Sequence, residues 1–139
     1  LVPRMVSISR KRDHTWDNFL SQMKSDDIIL IAPEGRMMRK TGLDFFGNEM
    51  SMRAGVSDII RRLDEGKVGF IYSGGLHHVQ TPGQLFPKIF KTLFLNIEVC
   101  DIKDYKEGLN YLLDEGYPFK KAVVLDLEKR KDENCPKVK

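Results

Sequence analysis

The chain has 139 residues, 41% hydrophobic and 31% charged, with a formal net charge of +3. That length holds one domain rather than two, and the balance excludes a disordered chain. A charge so close to neutral argues against nucleic acid, which calls for a concentrated basic field.

Leu1-Val2-Pro3-Arg4 reads as the remnant of a thrombin-cleavage linker, so native sequence is expected from Met5 or Val6. Val6–Arg10 alternates apolar and hydroxyl residues as a short strand does, then runs into the basic cluster Arg10, Lys11 and Arg12. Asp13 or Thr15 can cap a helix over Trp16–Lys24. Trp16, Phe19, Leu20 and Met23 form its apolar stripe at i, i+3, i+4 and i+7, which predicts core positions. Ile28–Ala32 is a continuous apolar run, the pattern of a strand covered on both faces. It delivers Pro33, Glu34, Gly35, Arg36 and Arg39 at its C-terminal end.

No period organises Pro33–Arg53, a segment with three glycines, four methionines and the Phe45-Phe46 pair. A loop of that length in a small domain is usually functional. Gly55–Asp64 predicts a second helix, with Val56, Ile59, Ile60 and Leu63 inward and Asp58, Arg61, Arg62 and Asp64 facing water. Lys67–Ser73 predicts another buried strand, ending in Gly74-Gly75-Leu76-His77-His78. Lys91–Asp101 reads as an edge or one-sided strand, with Leu95, Ile97 and Val99 on one face and Phe94, Asn96 and Glu98 on the other. Ile102, Tyr105, Leu109, Leu112 and Leu113 mark an amphipathic helix. Pro118 opens a last helix to about Lys131, although Ala122–Leu127 also fits a strand. Residues 132–139 form a polar tail expected to fray. The expected order is β-α-β-α-β-β-α-α, a single α/β domain over 5–131 with a mixed sheet flanked by helices.

Two constellations carry candidate chemistry. Glu34, Gly35, Arg36 and Arg39 follow a strand end, where an arginine fork suits phosphate. The same residues could also form a structural Glu–Arg pair fastening a loop. Ser73 with His77 and His78 lacks the glycine two residues before the serine that a nucleophile elbow requires. Adjacent histidines on a strand point to opposite faces and do not share a metal. That loop therefore reads as structural or substrate-contacting. Cys100 and Cys135 have no CxxC or zinc-type spacing, and with no secretion signal they point to reduced thiols in a cytosolic setting. No apolar run approaches the roughly 18 residues of a membrane span.

Ala32-Pro33-Glu34-Gly35-Arg36 resembles the Phe-Pro-Glu-Gly-Thr-Arg block of the glycerolipid acyltransferases, the group of glycerol-3-phosphate and lysophosphatidic acid acyltransferases. VSISR resembles the strand ending in arginine that precedes this block. Arg53-Ala54-Gly55 resembles the Lys-x-Gly that starts the following helix, and IYSGGLHH the strand and glycine-rich turn after it. The resemblance covers about Val6 to His78. It implies that Arg10 and Arg36 bind the phosphate of the acceptor, with Glu34 and Gly35 shaping the pocket. The threonine before the motif arginine is missing, so either Arg36 or Arg39 fills that place.

The implied reaction moves a fatty acyl group from acyl-CoA or acyl-carrier protein, the donor substrate, to a phosphorylated glycerol or lysophospholipid. It needs no bound cofactor and no metal. The family's general base is a His followed after four residues by Asp. Five residues on from His14, His77 and His78 stand Phe19, Pro82 and Gly83. The resemblance thus implies the C-terminal, acceptor-binding part of such a domain, inactive alone. A non-catalytic module binding phosphate or phospholipid headgroups is the competing reading. Either reading predicts peripheral contact with the inner face of a membrane. An incomplete domain would also expose sheet edge and apolar surface, and so predicts a homo-oligomer.

Overall fold

A computed structural model describes residues 8–9, 13–24, 26–35, 39, 41–74, 79–81 and 84–137. The chain is mixed α/β. Helices α1 (His14–Gln22) and α2 (Gly55–Arg62) precede strands β1 (Lys67–Ser73) and β2 (Leu95–Asp101). Helices α3 (Ile102–Gly108), α4 (Asn110–Asp114) and α5 (Phe119–Asn134) follow.

The strands pair antiparallel, with Gly69 opposite Val99, Ile71 opposite Ile97 and Ser73 opposite Leu95. This two-stranded sheet replaces the larger mixed sheet expected. Of the predicted strand Val6–Arg10, only Ile8 and Ser9 are described, and they are not in a strand. Ile28–Ala32 forms no strand either, and Ile28 and Leu30 are 98% and 88% exposed. An apolar run becomes a strand only when its backbone groups find a partner, and no strand of the described chain lies alongside it.

The core lies beneath one face of the sheet. Ile60 of α2, Phe70 and Tyr72 of β1, and Ile102 and Tyr105 of α3 meet Leu109, Val123 and Leu127. β1 is one-sided rather than buried on both faces, because Ile71 between the two aromatics is exposed. β2 turns its alternation around. Leu95, Ile97 and Val99 face outward, while Glu98 and Cys100 lie toward the helices. The chain exposes 10531 Å². A compact monomer of its 16.1 kDa mass exposes roughly 7,400 Å². Among the described residues, the outer sheet face and the apolar segments at 28–31 and 85–90 carry exposed large hydrophobic side chains.

The single amphipathic helix expected after Ile102 is stepped at Leu109, just past Gly108, a residue that weakens helix continuity. α4 stops at Gly116, whose φ of +94° lets Tyr117 N–H reach back to Leu112 O at 3.1 Å. α5 is helical throughout Ala122–Leu127, since Ala122, Val123, Asp126 and Leu127 are buried on one helical stripe. It runs to Asn134, beyond the end expected, and Cys135 packs partly against the core rather than fraying.

Candidate functional site

The apolar stripe of α1 lines a groove instead of entering the core, since no residue of that helix is fully buried. Trp16, Phe19 and Met23 face Val56 and Ile59 of α2, and the extended segment 28–33 closes the groove, giving a cavity of about 680 Å³. Asp13 caps α1 by accepting from Thr15 N at 3.0 Å, and the Thr15 hydroxyl holds its carboxyl down at about 2. The indole Nε1 of Trp16 donates to Asp58 Oδ2 at 3.1 Å, and Lys120 of α5 lies 3.4 Å from the other oxygen. Asp58, expected to face water, is therefore the tie between three helices.

Pro33, Glu34 and Gly35 form a tight turn at the mouth of this groove. Gly35 N–H donates to Ala32 O at 3.0 Å, with Gly35 at φ +64°. Arg53, on the approach to α2, donates from its backbone N–H to Pro33 O at 2.8 Å. Its side chain lies across the glycine so closely that a Cβ on Gly35 would come within 2.9 Å of Arg53 Nε. Glycine suits the left-handed backbone here, and a side chain in its place would also push the Arg53 side chain aside. Arg53 is exposed at its charged end and also lines the groove.

Of the sequence-predicted site residues, the structure brings Glu34 and Gly35 together with Arg53. Arg39 sits in the next turn with its guanidinium 4.7 Å from the centroid of the Phe45 ring. Arg10 and Arg36 lie outside the described residues, as do Gly75, His77 and His78. Glu34 is half-buried, and its charge follows burial as a cause of the raised Cys135 thiol pKa. Cys100 and Cys135 are free thiols, the former also pushed up mainly by burial. Among the described residues, no group of three His, Cys, Asp or Glu side chains could hold a metal ion.

The long aperiodic loop owes its shape to Asp44, which is buried. Its Oδ1 accepts from Phe46 N at 2.8 Å and Asn48 N at 2.9 Å, a short side-chain mimic of backbone turns. Leu43 and Glu49 then meet in an isolated antiparallel bridge. Arg39 N–H donates to Leu43 O at 2.9 Å, which tethers the arginine to this frame.

Arg53 was visible through the resemblance of Arg53-Ala54-Gly55 to a Lys-x-Gly helix start, but not as a site residue. Its partner signal was a glycine following Pro-Glu, a place where backbone must approach another group. A second polar cluster was also missed. Arg130 of α5 donates to Asp126 Oδ2 at 2.7 Å and to Glu98 Oε1 at 2.5 Å, and Tyr72 donates to Glu98 Oε2 at 2.9 Å. The guanidinium also lies over the rings of Phe70 and Tyr105. Burial opposes the charge of Arg130, but its bonds to the two carboxylates prevail and raise its pKa. The same bond to Arg130 lowers the pKa of Glu98. The i,i+4 spacing of Asp126 and Arg130 was the available signal. This cluster fastens α5 to the sheet and does not line the groove.

Compared with protein-family models, with curated proteins and with solved structures, the chain matches none.

Proposed function

We propose that the chain is the acceptor-binding part of an acyltransferase-type domain of glycerophospholipid biosynthesis, holding a phosphorylated glycerol or lysophospholipid. One observation carries this reading: an apolar groove opens on the Pro33–Gly35 turn, with Arg53 laid across its glycine. A cavity of this size suits a small amphiphile. Each methylene of a lipid tail gains about 0.8 kcal/mol on leaving water, and a charge-assisted bond from an arginine adds about 1.5–3 kcal/mol. The groove takes the tail, and Arg53 meets the phosphate together with Arg10 and Arg36 or Arg39. Glu34 keeps the turn polar and would repel a second anion.

The acyl group in this reading comes from acyl-CoA or acyl-carrier protein. General-base catalysis contributes about 10²–10⁴-fold, and the chain holds no His-x4-Asp. It therefore binds the acceptor without turning it over. Trp16 lines the groove and reports occupancy by its fluorescence. Lysophosphatidate should change that emission, and Arg53→Ala should weaken binding by at least 10-fold, as should the Arg10→Ala/Arg36→Ala double substitution. Unchanged affinity in both variants would sink the reading.

The bare outer face of the sheet fits a second copy of the chain. Ile71, Leu95, Ile97 and Val99 lie exposed on this face, and apolar sheet faces stack on each other across about 10 Å. A homodimer is expected in sedimentation at micromolar concentration, and a strict monomer would count against this part of the reading. No helix among the described residues is long and apolar enough to cross a membrane.

A further inference from the structure

The segment between the two strands has no role in the groove, yet it carries a run of highly exposed large side chains. Leu85, Phe86, Ile89 and Phe90 all point into solvent, and Phe90 is 99% exposed. Phe90 also holds a left-handed backbone at φ +62°, an uncommon setting for a bulky residue. Nothing in the described fold compensates it, since its ring touches so little of the chain. Single exposed apolar residues are ordinary, but a cluster of four is not.

The base of this loop is fixed while its tip stands out. Lys88 N–H donates to Val79 O at 2.7 Å, Gln84 N–H to Thr81 O at 3.0 Å, and the Gln80 side-chain amide to Gln84 O at 3.0 Å. Around the tip the charge has one sign. Lys88 and Lys91 interleave with the apolar residues and are exposed, and no Asp or Glu occurs from Val79 to Ile97.

We infer that residues 84–94 dock on an anionic lipid surface, with Leu85, Phe86, Ile89 and Phe90 entering the acyl boundary and Lys88 and Lys91 meeting lipid phosphates. Lysine stems suit that boundary, because their methylenes lie along apolar surface while the ammonium stays with the headgroups. An acid-free loop favours a negatively charged lipid over a protein partner, whose surface would carry both signs. The inference concerns a lipid surface, not the bound acceptor, and stands apart from the groove.

Co-sedimentation of the full chain with vesicles tests it, using phosphatidylcholine with and without phosphatidylserine. The chain should bind the anionic vesicles, weakly or not at all the neutral ones, and lose binding as salt rises. Lys88→Glu/Lys91→Glu should weaken partition by at least roughly 30-fold, at about a fivefold loss for each lysine removed from a charged surface. Phe86→Ser/Phe90→Ser should lower it by at least as much, with circular dichroism and lysophosphatidate binding unchanged. A Phe90→Trp variant gives an independent reading, its emission moving to the blue when anionic vesicles are added. No binding of the wild type, binding indifferent to both double substitutions, or a Phe90→Trp emission unmoved by excess vesicles would each overturn the inference. So would double variants that dissociate an oligomer while vesicle binding persists.

Discussion

Replacing Arg130 by methionine removes the one cation that holds α5 to the sheet while keeping an apolar stem against Phe70 and Tyr105. Asp126 is the costly partner to abandon, because it is 6% exposed and loses a 2.7 Å bond. A hydrogen bond to a charged group contributes about 1.5–3 kcal/mol. Glu98 is half-exposed and keeps its bond from Tyr72, so its loss is at most about 1 kcal/mol. Together these give about 2–4 kcal/mol, a sizeable part of the 7–20 kcal/mol on the order of which a chain of 139 residues is stable. The companion variant Asp126→Leu/Arg130→Met leaves no buried charge unpaired and should recover most of the loss, since apolar replacements of buried pairs are often near neutral. Urea unfolding followed by circular dichroism measures all of the variants, with Asp126→Leu completing the cycle. A loss below about 0.5 kcal/mol in Arg130→Met, or a double variant no better than the single, would refute the reasoning.

The other predictions concern pH and the turn. Glu98 has a folded pKa below its ordinary value of 4.5, so its stabilisation is present above that pH and is lost as pH falls through the folded pKa. Glu98→Gln should flatten this acid limb of the stability curve. Tyr72 is pushed up to about 12 by burial first and then by Glu98. Its contribution is complete below pH 10 and is lost on rising toward 12, with a slope no steeper than about 1.4 kcal/mol per unit. Tyr72→Phe should remove that alkaline slope, and an unchanged slope would assign it to other groups. Gly35→Ala meets both the left-handed backbone, at about 1–2 kcal/mol, and Arg53 Nε at 2.9 Å. It should weaken lysophosphatidate binding by at least 10-fold and lower the global melting temperature only by the few degrees that this strain accounts for; equal affinity would detach the glycine from the site.

Local periodicity made much of this fold legible. The stripe in α2 and the bounds of β1 emerge where the residues place them, and α1 forms two residues earlier than its apolar stripe begins. What periodicity does not contain is the partner. Ile28–Ala32 has the composition of a buried strand and no neighbouring strand to pair with among the described residues. β2 alternates correctly, but which face turns inward was decided by Arg130, a residue 32 positions from Glu98. Asp58 reads as a surface acid on its own helix and becomes a tie only when Trp16 and Lys120 arrive from two others. At the site, Pro-Glu-Gly was visible as a turn delivering charge. Arg53 was visible as a helix-start residue but not as part of this turn, because its place over Gly35 depends on a loop of seventeen intervening residues that has no period to extrapolate. Asp44 organises that loop through backbone bonds that composition does not announce.

The central claim, that the groove and its arginine turn hold a phosphorylated glycerolipid, is tested most directly by paired titrations followed through Trp16. One uses lysophosphatidate, and the other uses the monoacylglycerol of the same chain length, which keeps the tail and lacks the phosphate. Saturable binding of the phosphorylated lipid, at least 10-fold tighter than its neutral counterpart, is the predicted result. Equal affinity for the two, or no saturable change with either, would contradict it.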